Sequence, residues 1–345
     1  MEFLYEYGLF FAKVITFVIA IIAIIAAIAG AAQKQKHKKG ELEIDDLSKS
    51  YQDVEDHMLE SLLTKDELKQ REKDLKKQLK QEKKQQKQDG DSQSGDSRLF
   101  VIDFKGSIDA REVESLREEI SAVLTVASPT DEVLVRVESG GGMVHGYGLA
   151  ASQLDRIKQQ QVPLTIAVDK VAASGGYMMA CVADKIVAAP FAILGSIGVL
   201  AQIPNFHKLL KKNDIDFEQL TAGEYKRTLT MFGENTDKGR EKFVEELEDT
   251  HQLFKQFVAE HRPSLDLDKV ATGEHWFGIR AKELGLVDDI QTSDDYLYQA
   301  AKDKKVIHVK YSNKKGLTEK LSKAASLSVS AVIDKLWQRN RVFPS

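Results

Sequence analysis

The 345 residues contain a single cysteine, Cys181, so the chain has no internal disulfide framework. Cys181 lies in the apolar run MMACVA and reads as a buried, inert thiol. His-Glu-x-x-His is missing, and one cysteine supports no thiolate cluster. Metal hydrolysis therefore has no ligand set, and no metal or cofactor is expected. A Gly-x-Ser-x-Gly elbow is also missing, as is any internal repeat. Charge of one sign does not dominate: the formal net charge is −4, which gives no bias toward nucleic acid.

What is present starts at the N-terminus. Val14–Ala32 holds no charged residue, and as a helix it would span roughly 28 Å, close to the hydrocarbon thickness of a bilayer. A cleavable signal peptide would want a basic leader, whereas Glu2 and Glu6 precede this run with only Lys13 opposing them. The apolar stretch also exceeds the usual signal length, so residues 1–32 read as a permanent transmembrane anchor. Lys34, Lys36, Lys38 and Lys39 follow it and suit anionic headgroups. Within residues 33–98, the stretch 41–88 is rich in Lys, Gln and Glu, and Leu68, Leu75 and Leu79 form a sparse stripe. This is a charged linker, partly helical or disordered, ending in the hinge-like DGDSQSGDS.

From Leu99 the texture changes. LFVIDF (99–104), EVLVRVE (132–138), PLTIAVD (163–169) and KIVAA (185–189) read as strands. Residues 110–126, 146–160, 174–184 and 236–261 read as helices. Such alternation predicts an α/β domain over 99–310 with buried, largely parallel strands. Residues 311–345 read as an amphipathic helical tail, with Leu321, Leu336 and Trp337 at helical spacings.

Three segments could carry chemistry. In VAASGGYMMA, Ser174 sits between small residues at a strand-to-helix junction. Taken alone it is an ordinary helix N-cap. Read functionally, its small neighbours leave the hydroxyl accessible, and a helix N-terminus favours a nearby oxyanion. A serine nucleophile needs a base. His145, just after a triple glycine, is one candidate, although a polar loop histidine needs no function. Lys226, in TAGEYKRTLT, is another; it would have to be desolvated to serve, and a surface lysine is the commoner state. The triple glycine Gly140-Gly141-Gly142 closes a strand, either as a plain βα loop or as backbone donors for an oxyanion. LGSIGV places Ser196 between two glycines, which alone is a turn.

Together, VESGGGMVHGYGLAASQL, VDKVAASGGYMMACVADKIVAAPFAILGSIGV, TAGEYKRTLTMFGENT and ATGEHW, with the anchor MEFLYEYGLFFAKV, resemble the signal peptide peptidase A family. The likeness is greatest to its SohB branch of bacterial inner-membrane peptidases, and it covers nearly the whole chain. The resemblance implies a ClpP/crotonase-like fold, a spiral of ββα units. It implies Ser174 as nucleophile, Lys226 as general base and Ser196 as the hydroxyl that orients the lysine. It also implies Gly141, Gly142 and Gly175 as the oxyanion hole. One departure stands out: the family loop usually reads Ser-Pro-Gly-Gly, whereas here Gly140 follows Ser139, leaving the loop freer by about 1 kcal/mol.

The expected activity is a membrane-anchored serine endopeptidase acting on apolar or membrane-derived peptides, such as spent signal peptides. A crotonase-like acyl-CoA enzyme and a non-catalytic membrane scaffold are the alternatives on the same fold, and a Ser–His hydrolase would depend on His145. Besides peptides and the bilayer, the expected partner is the chain itself, in a homo-oligomeric ring with sites at subunit interfaces. The positive-inside rule puts the domain in the cytoplasm, while the resemblance puts it in the periplasm.

Overall fold

The computed structural model describes residues 15–16, 40–71, 73–74, 77 and 97–312. The chain enters as strand β1 (Glu41–Asp46) and helix α1 (Leu47–Leu62). After β2 (Arg98–Lys105) come α2 (Val113–Leu124), β3 (Glu132–Glu138), α3 (Val144–Gln159) and β4 (Leu164–Val168). Then follow β5 (Val171–Ala173), α4 (Gly175–Ala180), β6 (Lys185–Ala188) and β7 (Ile193–Gly195). An arm containing the short α5 (His207–Lys212) leads to the long α6 (Asp237–His261). The last elements used below are β8 (His275–Phe277), β9 (Asp289–Ile290), α7 (Ser293–Ala300) and β10 (Lys305–Ser312).

Seven strands form one sheet in the order β1-β10-β2-β3-β4-β6-β9, and the pairs from β10 to β9 are parallel. A second sheet, β5-β7-β8, takes the strands that follow β4 and β6. The apolar runs are continuous because both faces of the large sheet are covered. Phe100, Ile102 and Phe104 of β2 point into one core with Val133, Val135 and Ile166. Leu99 and Val101 alternate to the other side, against Leu134, Ala167 and Leu297. Leu116 and Ile120 of α2 and Leu154 and Ile157 of α3 pack on the first face. Cys181 is fully buried there, and that burial pushes its thiol up to about 12, so it is inert.

Residues 42–311 form one compact unit. It begins well before the expected hinge, because β1 joins the large sheet and α1 docks through Ser48, whose hydroxyl accepts the Val306 N–H at 2.8 Å. Part of the stretch read as linker is thus folded structure. Among the described residues no helix is long and apolar enough to cross a membrane. The expected span, apart from Ile15 and Thr16, lies outside the described residues, as does nearly all of the expected tail.

Candidate active site

Three loops meet at the carboxyl ends of the parallel strands, where open α/β sheets present their clefts. The first leaves β3. Ser139 continues it as a bridge to β5, donating its N–H to the Val171 carbonyl at 2.9 Å and accepting from Ala173 at 3.0 Å. The chain then turns through Gly141, at φ 87°, against the second loop. A β-carbon on Gly141 would lie 2.7 Å from the Gly175 nitrogen and 2.8 Å from the Ser174 β-carbon, so only glycine fits.

The second loop is the turn from β5 into α4. Ser174 occupies it with φ 52° and ψ −119°, a conformation that L-residues rarely hold. Its N–H is fixed by the Gly195 carbonyl at 2.8 Å and its carbonyl by the Met178 N–H at 2.9 Å. The side chain makes no capping hydrogen bond to α4, so Ser174 is not the ordinary N-cap that its sequence position allows. The third loop leaves β7 through Gly195 (φ 93°) and Ser196 (φ 50°). The Glu274 carbonyl takes the Ser196 N–H at 2.6 Å, tying this loop to the ATGEHW segment.

Together the loops line a groove of about 930 Å³ that holds Ser174, Ser196, Gly141 and Gly142. Apolar side chains of Ile108, Met143, Val144, Val199 and Leu200 form much of its wall. A smaller hollow of about 20 Å³ opens beside Ser174, closed by Met178 and by Phe254 of α6. Among the described residues, the N–H groups of Gly142 and Gly175 have no backbone partner, whereas that of Gly141 is bonded to the Ser139 hydroxyl at 3.0 Å. Of the three expected donors, only the Gly141 N–H is thus committed to another group among the described residues.

Lys226 is not in this groove. It is exposed on the arm between β7 and α6, in a turn closed by its N–H on the Gly223 carbonyl at 3.3 Å. Among the described residues its side chain has no hydrogen-bond or ion-pair partner. The turn is held to α6 by the Glu224–Lys238 ion pair at 2.6 Å and by Lys238 and Lys242 over the Tyr225 ring. His145 is exposed on the first turn of α3 and does not line the groove. Sequence reasoning passed over His251, which does line it and meets the Ile197 carbonyl through Nε2 at 3.2 Å. It sits mid-helix in α6, far in sequence from every glycine-rich motif, so no local signal marks it. Among the described residues no cluster of His, Cys, Asp and Glu could hold a metal ion.

Comparison with known proteins bears on this arrangement. Residues 2–154 match the model described as peptidase family S49 N-terminal, and residues 156–307 match peptidase family S49. The chain is 53% identical over 339 residues to "Probable protease SohB" of Haemophilus influenzae, covering 97% of this chain and 96% of that protein. It is 48% identical over 337 residues to "Probable protease SohB" of Buchnera aphidicola subsp. Acyrthosiphon pisum, covering 98% of both. Similarity to "Protease 4" of Haemophilus influenzae is lower, 26% over 59% of this chain and 34% of the relative. Matched along nearly its whole length by the family's two models and by SohB proteins, the chain belongs to peptidase family S49.

Proposed function

We propose that the chain is a membrane-anchored serine endopeptidase in which Ser174 is the nucleophile and Lys226 the general base. The observation that carries this reading is the setting of Ser174: a strained backbone, an uncapped side chain, and the open N–H groups of Gly142 and Gly175 beside it. Strain of about 1–3 kcal/mol at a half-buried serine needs a reason, and presenting a nucleophile to a cleft is one. In the proposed reaction the Ser174 hydroxyl attacks a peptide carbonyl while its proton passes to the Lys226 amine. The carbonyl oxygen takes up charge facing the Gly142 and Gly175 N–H groups. Collapse breaks the C–N bond, and the lysine returns the proton to the leaving amine. Water then releases the acyl group from Ser174, with the lysine again taking and returning a proton. Ser196, on the groove wall, orients the lysine.

A peptide suits the groove better than an acyl-CoA. Residues 198–202 run along it, and among the described residues their N–H groups have no protein partner. An extended peptide can pair with such a segment as an added strand. The apolar wall and the hollow beside Ser174 favour apolar sequences with a small side chain near the cut, as in membrane-derived peptides such as spent signal peptides. We read the alternation of large-sheet and small-sheet strands as the ClpP/crotonase-type spiral.

The separation of Lys226 from Ser174 supports an assembly in which each groove is completed by the arm of a neighbouring copy. The arm is poorly suited to water: Leu220 is 94% and Leu200 78% exposed, with Leu209, Ile215 and Phe217 also open. Covering this surface would desolvate Lys226, which favours the neutral amine a base requires. A repeating heterologous contact of that kind closes into a ring when the rotation between copies divides a full turn. The test of the nucleophile is a fluorophosphonate probe on the full chain in detergent. Wild type should be labelled on Ser174, and Ser174→Ala should not be labelled at all. Equal labelling of both proteins would refute the assignment.

A further inference from the structure

We infer that Tyr147 is a positioning residue for the oxyanion loop, substituting through hydrogen bonds for the rigidity that a proline at position 140 would give. The inference rests on the peptidase reading above. Tyr147 lies in the first turn of α3 and is fully buried, its ring edge-on to Phe104 at 6.3 Å between centroids. The ring backs the nucleophile turn so closely that a β-carbon on Gly175 would overlap it. Gly106 leaves the space its hydroxyl occupies.

The direction of each hydrogen bond follows from the acceptor at the end. The Tyr147 hydroxyl donates to the Ser107 carbonyl at 2.8 Å, and a carbonyl cannot donate back. The one phenolic proton is thereby committed, so in the short contact between Tyr147 and Ser139 the serine is the donor. The Ser139 oxygen then accepts the Gly141 N–H at 3.0 Å. A chain runs from Gly141 through Ser139 and Tyr147 to Ser107, every member polarising the next. Ser107 is itself held, its N–H on the Glu112 carboxylate at 3.0 Å and its hydroxyl between the Asp109 and Glu112 carboxylates at 2.6 and 2.7 Å. Fixing the Gly141 N–H sets the peptide plane from which the chain enters Gly142, which lines the groove and whose N–H has no backbone partner among the described residues. The loop needs such a tether because three consecutive glycines would otherwise sample many conformations.

Position 140 offers the means to test this. Gly140 is exposed, a β-carbon there would meet nothing within 4 Å, and among the described residues its N–H has no backbone partner. Proline therefore removes no contact, and Ser139 before it is already extended. Full-length Tyr147→Phe keeps the ring under Gly175 and deletes the hydroxyl. Labelling of Ser174 by the fluorophosphonate, in which the Oγ–P bond forms and fluoride leaves, is followed against probe concentration. The maximal rate should fall on the order of ten- to a hundredfold with little change in half-saturating concentration, because the loop's donors act as charge develops on phosphonyl oxygen. Ser139→Ala should behave alike, and the double variant should be no worse than either, since each breaks the same chain. Gly140→Pro in the Tyr147→Phe background should recover most of the loss. Amide exchange at Gly141 should accelerate in Tyr147→Phe and in Ser139→Ala. An unchanged maximal rate, an unchanged Gly141 exchange rate, or no recovery with proline would each overturn the inference. Failure of wild type to be labelled would instead count against the peptidase reading, and the Gly141 exchange measurement would still decide the role of Tyr147. If Tyr147→Phe does not fold, Ser139→Ala alone carries the same comparison.

Discussion

At Ser174 the backbone stays at φ 52° and ψ −119° although glycine would hold that conformation at lower cost. This gives a prediction about stability separate from activity. Ser174→Gly should be more stable than Ser174→Ala by about 1–2 kcal/mol, measured by urea unfolding, because only glycine relieves the strain. Equal stabilities would mean that the turn stores none. The two variants should be equally inactive. The sequence made the serine visible through its small neighbours, but the strain was not legible, since a serine rather than a glycine stands at the positive φ. Tyr147 was equally hidden: its position in the α3 pattern reads as one more core residue, and only the fold brings its hydroxyl under Ser139. Gly141 and Gly142 were legible as a loop, while the commitment of the Gly141 N–H to Ser139 was not.

Between elements, β10 is held against α2 by a buried carboxyl. Glu119 is 4% exposed and accepts the Tyr311 N–H at 2.7 Å. Burial pushes it up, and the nearby Asp103 adds to this against the Tyr311 bond, so it titrates at about 7. Asp103 behaves oppositely: burial opposes its charge, but His308 and Arg136 outweigh that and hold it at about 2. Folding favours protonated Glu119, so its contribution is complete below the ordinary value of 4.5 and is lost as pH rises through about 7. The difference amounts to roughly 3 kcal/mol. Glu119→Gln keeps an acceptor for Tyr311 and should stabilise the protein at pH 8 while changing little at pH 4.5, by urea unfolding at both. An equal effect at the two pH values would contradict this. The strands of the sheet were legible because their apolar residues serve two cores in alternation, as β2 does with Leu99 and Val101 against Phe100, Ile102 and Phe104. Strand β1 was not, because ELEIDD is mostly exposed and carries the composition of a linker. Its place comes from pairing with β10, more than two hundred residues later in the chain, which no local pattern announces.

For the whole molecule, the central claim is that the groove around Ser174 becomes a peptidase site when a second copy supplies Lys226. Reading the motifs along the chain joins the serine and lysine as one site, but they fold onto different parts of the protomer, the groove and the exposed arm. The arm's apolar residues were legible as composition, not as surface, because burial is a property of the fold. The most direct measurement is complementation. Full-length Ser174→Ala and Lys226→Ala proteins, each inactive, are mixed, dissociated and reassembled, and fluorophosphonate labelling of the intact Ser174 is followed alongside peptide cleavage. Mixed assemblies pair an intact serine with an intact lysine, so both labelling and cleavage should return in part. Confirmed co-assembly with neither labelling nor cleavage would contradict the account, since each protomer would then need its own complete pair.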